Sequence, residues 1–248
     1  MKNIKMLVKH LLFPGLDFGT RPRRKLIRYF LSGNICTLDA GCGNGAFSLA
    51  AYELGNQVAG INLDPDQVRR CREYGQYVGA DKGRLHFRVF NIYDLRTLNK
   101  TFDQIICFET LEHLIRDNEV VQIFSDCLAP GGRLHLCTPN AQCLFNAMGG
   151  ISQTEDGGHV RVGYTHEELE GLMREAGIQP IISDTVGGYG CIKATAIQRW
   201  LEDHLFNRLP QFLGDACRVA AFLFLSPMVL LDHVVPYPAW SVYVCGQK

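Results

Sequence analysis

Leu38-Asp39-Ala40-Gly41-Cys42-Gly43-Asn44-Gly45 is the stretch whose reading decides the fold. Before it, Ile35-Cys36-Thr37-Leu38 reads as a short buried strand. After it, Ala46-Phe47-Ser48-Leu49-Ala50-Ala51-Tyr52 reads as a helix. Three glycines at alternate positions turn the one into the other. Only a residue without Cβ accepts such a turn readily, and only bare backbone lets a ligand approach closely. A dinucleotide fingerprint is spaced G-x-G-x-x-G and sets a pyrophosphate at the helix N-terminus. Here the pattern is D-x-G-x-G-x-G. The acid would repel a pyrophosphate but hold an ammonium group, which points to a cofactor with an amino-acid end.

Further strands follow at regular intervals: Val58 to Leu63, Leu85 to Phe90, Phe102 to Glu109 and, after the turn Pro130-Gly131-Gly132, Arg133 to Asn140. Helical stretches fall near 46–55, 65–78, 110–114, 118–128 and 166–176. The last begins with a capping box, Thr165 to Glu168, and stops at Gly177. Ile178 to Val186 reads as a sixth strand. Trp240 to Cys245 reads as a seventh, antiparallel beside it. Strands alternating with helices predict a mostly parallel sheet covered on both faces.

With these elements in this order, the chain resembles the class I S-adenosylmethionine-dependent methyltransferases from about Thr37 to Asn140, and more weakly to about Ile182. The resemblance implies an α/β, Rossmann-like fold with a seven-stranded sheet, and S-adenosylmethionine as cofactor. It divides the chain into an N-terminal helical segment (1–34), a cofactor-binding core (35–186), a helical insertion or cap (187–237) and a last core strand (238–248). The family has a short hairpin where this chain has about fifty residues. An insertion of that length is usually functional or structured in its own right.

Ligands of open α/β sheets lie outside the carboxyl ends of the strands, where the strand order switches. Asp39, Ala40, Gly41, Cys42, Gly43, Asn44, Asn62, Leu63, Asn91, Ile92, Cys107, Phe108 and Glu109 should therefore line one cleft. In the family an acid ends the second strand and accepts from the ribose hydroxyls. This chain has Asn62, a weaker acceptor. Asp64, two residues on, either compensates or caps the helix starting at Pro65. Asn91 likewise stands where the family commonly holds the adenine with Asp. Phe108 and Leu63 suit the adenine and ribose faces, or ordinary packing.

Glu109-Thr110-Leu111-Glu112-His113 is the second informative cluster. On a helix starting near Thr110, Glu109 shares a side with Glu112 and His113. E-x-x-E-H here is similar to the ubiquinone-biosynthesis O-methyltransferases and the small-RNA 2′-O-methyltransferases. That likeness implies a divalent ion such as magnesium held by Glu109, Glu112, His113 and a downstream histidine, His159. The metal-free alternative makes His113 a general base for a hydroxyl, with Glu112 and Glu109 beside it. A third reading is structural.

The 248 residues carry 25 basic and 25 acidic side chains, so no global field draws the chain to nucleic acid, and none is expected as a partner. Ten cysteines without a C-x-x-C pair argue for reduced thiols in a cytoplasmic protein. Lys2, Lys5 and Lys9 interrupt the first apolar residues, which speaks against a signal peptide. Ile4, Leu7, Val8, Leu11 and Leu12 instead recur at helical spacing. The basic run Arg21, Arg23, Arg24, Lys25 and Arg28 is a solvated helix face or a contact for an anionic surface. The apolar run Val219 to Leu231, interrupted by Pro227, reads as a buried or surface-lying helix pair. Together these features suggest a small or lipid-linked acceptor and peripheral membrane contact. The insertion is expected to cap the cleft with Tyr189, Trp200, Phe206, Phe222 and Phe224, or else to form a homodimer interface. O-methylation leads. N- or C-methylation, a catalytically silent subunit and, more distantly, a nicotinamide-dependent dehydrogenase are the alternatives.

Overall fold

The computed structural model describes residues 10, 12–148 and 150–248. Of the predicted N-terminal apolar stripe, Ile4, Leu7, Val8 and Leu11 lie outside the described residues. Helix α1 spans Thr20–Phe30, and the Asp17 carboxylate accepts from the Gly19 and Thr20 amides at its start, at 2.8 and 2.9 Å.

Seven strands follow: β1 (Cys36–Ala40), β2 (Gln57–Asn62), β3 (Leu85–Val89), β4 (Phe102–Phe108), β5 (Leu128–Pro139), β6 (Gln179–Val186) and β7 (Ser241–Gln247). They form one sheet in the order β3-β2-β1-β4-β5-β7-β6. The first five are parallel, while β7 enters between β5 and β6 and runs antiparallel to both. The order reverses at β1, between β2 and β4, so a crevice opens at the carboxyl ends of these strands. Both faces are covered, as the alternation of elements predicts. Helices α1, α2 (Ala46–Glu53) and α3 (Pro65–Tyr77) bury Ile27, Leu49, Val68 and Tyr74 on one side. Helices α4 (Asp117–Cys127) and α6 (His166–Glu175) bury Val120, Phe124, Leu169 and Met173 on the other. A four-residue turn, α5 (Leu144–Ala147), follows β5.

The local signals act as read. Thr165 and Glu168 exchange both hydrogen bonds of the capping box, and Gly177 ends α6 at φ +74°. Asp64 caps α3 by accepting from the Asp66 amide at 2.7 Å, with Pro65 in the first turn. One expected helix is absent. Leu111–His113 is a single 3-10 turn, because Glu109 takes a left-handed backbone (φ +49°) and breaks the path from β4.

The insertion holds two helices, α7 (Tyr189–His204) and α8 (Gln211–Leu225), and α8 continues as a 3-10 turn, Ser226–His233. The expected helix pair across Pro227 is thus one helical run. Gln211–His233 spans 23 residues and is long and apolar enough to cross a membrane by length and composition, which the reading of a shorter, interrupted run missed. Inside, Cys191 and Ile192 pack with Cys143 and Trp240, while Ala194, Phe222 and Leu225 pack on Phe18. The insertion therefore seats on the start of β7 and on the segment ahead of α1, at the carboxyl edge of the sheet.

Candidate active site

The glycine loop sits at the switch point. Gly41, Gly43 and Gly45 have φ of +82°, +48° and +80°, a region that side chains rarely enter. The Gly41 and Cys42 amides donate to the Ile61 carbonyl at 3.0 and 2.8 Å, which ties the loop to β2. A Cβ on Gly41 would fall 2.1 Å from Thr110 Oγ1, whereas one on Gly43 meets only the Gly41 carbonyl, at 4.0 Å. Gly41 thus serves packing, and Gly43 has room beside it among the described residues.

Asp39 is fully buried. Ser48 Oγ donates to its Oδ2 at 2.5 Å, and Oδ1 has no hydrogen-bond partner. Burial pushes this carboxyl up to about 6. An unpaired buried acceptor at the glycine loop fits a cofactor ammonium, which would supply the missing partner. The same burial has a cost in pH dependence. A group that binds its proton more tightly folded than unfolded contributes stability fully below its unfolded value of 3.8, and loses it as pH rises through about 6. This shift corresponds to about 3 kcal/mol. Asp39→Asn is therefore expected to exceed the parent in stability at pH 8 by up to about 3 kcal/mol and to match it near pH 4. Urea unfolding at the two pH values measures this. Equal destabilisation at both would show that the native carboxylate is satisfied.

The remaining cofactor candidates divide. Leu63 is 62% exposed at the end of β2, free to cover a ligand. Ile92 is buried, and Asn44 caps α2 through the Ala46 amide at 3.0 Å. Asn62 Oδ1 accepts from the Asp64 amide at 2.8 Å, and Asn91 Oδ1 accepts from the Tyr93 amide at 3.1 Å. Both asparagines shape their own turns. Phe108 must be corrected: it is 3% exposed, between the Phe47 and Tyr243 rings, so its side chain is core and not a cover for adenine. Cys42 and Cys107 are buried thiols, raised by their surroundings, and pack as small apolar groups.

Glu109 also leaves its expected set. Its Oε2 is 2.8 Å from Arg23 Nη2, and Ser241 Oγ donates to its Oε1 at 3.3 Å. Arg23 is itself buried, donates to Ser241 Oγ at 2.6 Å and lies 5.1 Å over the Trp240 ring. Of the basic run of α1, Arg23 is thus consumed inside the molecule, while Arg24 and Arg28 pair with Glu53 at the surface. Nothing in a run of five cations distinguishes the inward one.

Glu112, His113 and His159 do come together. One ligand atom from each lies within 4.8 Å of the others. Glu112 is fully buried with neither oxygen hydrogen-bonded, and burial, then the Glu109 charge, push its carboxyl well above the ordinary range. His113 Nε2 stands 3.9 Å from Glu112 Oε1, and its ring meets that of His159 edge-on at 4.7 Å between centroids. His113 Nδ1 lies 3.0 Å from the Gly158 carbonyl. A carbonyl only accepts, so Nδ1 carries the hydrogen and Nε2 presents its lone pair. Burial, then His113, lower the basicity of His159. Two imidazoles and a carboxylate suit a borderline divalent ion such as zinc better than magnesium, and the expected four-ligand set loses Glu109 to Arg23.

The loop carrying His159 is fastened by residues that the sequence did not single out. Glu155 accepts from Tyr93 Oη at 2.6 Å and from the Ile115 amide at 2.7 Å. Arg161 pairs with Asp117 and donates to the Leu114 carbonyl at 2.8 Å, and Tyr164 Oη donates to Asp117 at 2.9 Å. These are scattered polar residues with no local pattern. Among the described residues the insertion connects toward this site through Trp240, Arg23 and Glu109. Of the five aromatic residues expected to cap the cleft, Phe206 and Phe222 are buried, Tyr189 is half-buried, and Trp200 and Phe224 are exposed.

A family model described as a methyltransferase domain matches residues 16–182. A ubiquinone biosynthesis O-methyltransferase of Xanthomonas euvesicatoria pv. vesicatoria is 30% identical over 150 residues, covering 57% of this chain and 62% of that protein. The chain thus spans under two thirds of the length of that relative. Among solved structures, a putative sarcosine dimethylglycine methyltransferase from Galdieria sulphuraria superposes with TM-score 0.60 at 14% identity, over 91% of this chain and 83% of that one. The magnesium protoporphyrin IX methyltransferase of Synechocystis PCC 6803, solved with bound SAH, gives TM-score 0.57 at 13% identity, over 91% and 82%. At such identities the structural likenesses establish the fold. With the glycine loop, the strand order and a family match over residues 16–182, this chain belongs to the methyltransferase-domain family.

Proposed function

We propose that the chain transfers a methyl group from S-adenosylmethionine to a hydroxyl of a small or lipid-linked acceptor. The observation that carries the oxygen preference is His113 Nε2, its lone pair fixed by the Nδ1 bond to Gly158, beside the buried Glu112. When bound, the cofactor supplies a methyl on a sulfonium, already a good electrophile. Asp39 and the glycine loop would hold its amino-acid end, and Leu63 would cover its ribose. His113 Nε2 would accept the hydroxyl proton as the acceptor oxygen takes up the methyl. The fold's part is to align nucleophile, methyl and sulfur and to exclude water. Glu112, His113 and His159 would hold a divalent ion if one is used, and it would lower the hydroxyl's pKa.

An apolar acceptor is supported by a cavity of about 980 Å³ between α1, the end of β6 and the insertion. Phe18, Leu26, Phe30, Val186, Phe222 and Val229 line it, with Arg21 and Lys25 as cations. It shares no residue with the glycine loop or the histidine pair, so it suits a tail and not the reacting centre. The ten cysteines are free thiols, in keeping with a reducing, cytoplasmic setting.

A second reading, a silent partner subunit, is favoured by Asn62 and Asn91, whose side-chain oxygens serve backbone amides. Incubation with methyl-labelled cofactor and a panel of catechols, sugars and lipid extracts separates the two. Label is expected in an organic-soluble, base-stable methyl ether. No transfer to any acceptor, with no calorimetric binding of S-adenosylhomocysteine at millimolar concentration, would establish the silent subunit. Label in an amine or on carbon would keep the enzyme and overturn the oxygen preference.

A further inference from the structure

Helix α8 has its apolar residues on the wrong side for a helix facing water. At about 100° per residue, Phe212, Leu213, Ala216, Ala220, Leu223 and Phe224 fall within about 120° of one another. All six are exposed, Phe212 at 72% and Phe224 at 84%. The buried residues Gly214, Phe222 and Leu225 lie opposite, against the body of the protein. The charges of the helix stay off the outer stripe: Arg218 pairs with Asp215 at 2.9 Å and donates to Asn207 at 2.7 Å. Past Arg218 no charge occurs until Asp232, and Leu230 and Val234 continue the exposure at 67% and 74%. The stripe from Phe212 to Phe224 is about 20 Å long from the helical rise.

We propose that this outer face of α8 and the turn after it is a docking surface for a lipid bilayer, lying in the plane of one leaflet. The reading is independent of the methyl-transfer chemistry. Two observations select lipid over a second copy. The stripe offers no side-chain donor or acceptor, whereas protein interfaces carry about one hydrogen bond per 100–200 Å² and a polar rim. A bilayer interior asks for no such partner, because helix backbone groups are already paired. The run Gln211–His233 also meets the length and composition of a membrane helix, with only 17% of its most apolar window buried. Its packing on Phe18 and Ala194 holds one side in the protein, so it lies on the membrane and does not span it.

The stripe is uncharged and the chain's 25 acids balance its 25 bases, so attraction rests on apolar insertion. The full-length protein should therefore float with vesicles of pure phosphatidylcholine, and keep doing so in 0.5 M salt, roughly a Debye length below 5 Å. Phe212→Gln with Phe224→Gln should weaken partitioning roughly 100-fold, with unfolding temperature unchanged because both side chains are exposed. Phe224→Trp should show a blue-shifted emission on adding vesicles. Three results would overturn the proposal. Vesicle binding by the double variant equal to the parent's would move the contact elsewhere. Binding only to anionic phosphatidylglycerol vesicles, abolished by salt, would assign it to basic side chains. A parent that ignores vesicles but sediments as a dimer, with the double variant monomeric, would make the partner a second copy.

Discussion

Gly43→Val is expected to yield a folded protein whose affinity for S-adenosylhomocysteine falls more than about 100-fold, since a side chain would stand where backbone must approach the ligand. The structure separates this position from its neighbours. A Cβ at Gly41 would strike Thr110, and one at Gly45 would press on Cys71 at 3.3 Å, so those changes damage the protein before any ligand is considered. At Gly43 nothing among the described residues, its chain neighbours aside, is nearer than 4.0 Å. The expected cost there is backbone strain at φ +48°, about 1–2 kcal/mol, with more for a β-branched residue. Isothermal titration beside a melting curve gives both numbers. Gly43→Ala should fall between parent and valine variant in each. Parent-like affinity in a folded Gly43→Val protein would show that the cofactor lies elsewhere.

What was legible in the sequence had a local physical cause. The glycine loop, the Asp64-Pro65 cap and the Thr165–Glu168 box each declare themselves within a few residues, because backbone sterics and orphan amides act at that range. The sheet follows from apolar runs separated by helical periodicity. The strand β7 was readable from a β-rich segment, whereas its antiparallel direction depends on pairing with β5 and β6. The histidine pair was accessible only through the family likeness, since 46 positions separate His113 from His159.

The failures concern side-chain direction. Glu109 and Glu112 stand three apart, and a helix would have aligned them. The left-handed Glu109 sends its carboxylate to Arg23 instead. Arg23 itself sits in a run of like charges, where composition says "surface" and only the packing of α1 against Trp240 and Ser241 says otherwise. Phe108 ends a strand at the crevice, yet its ring is buried against those of Phe47 and Tyr243. In α8 the sequence shows apolarity but not which residues the protein leaves uncovered. Each of these outcomes depends on partners tens to hundreds of residues away.

Replacing His113 by alanine is expected to lower turnover roughly 10²–10⁴-fold while leaving S-adenosylhomocysteine affinity within about threefold, the pattern for loss of a proton acceptor. Glu112 then distinguishes how the cluster works. Burial and the Glu109 charge favour its neutral, protonated form. In a metal-free site Glu112→Gln replaces one neutral group by another of the same shape, so activity should stay within about fivefold. If Glu112, His113 and His159 hold a cation, the same substitution removes the only anionic ligand. Activity should then collapse, excess chelator should reproduce the collapse, and zinc or manganese should restore the parent but not the variant. Cation binding must displace the Glu112 proton, so apparent affinity for the ion should rise with pH. Direct titration of the ion over a pH series reads this without reference to turnover. Full activity in both His113→Ala and Glu112→Gln would remove the cluster from the reaction and leave alignment of the acceptor by the surrounding walls as the source of catalysis.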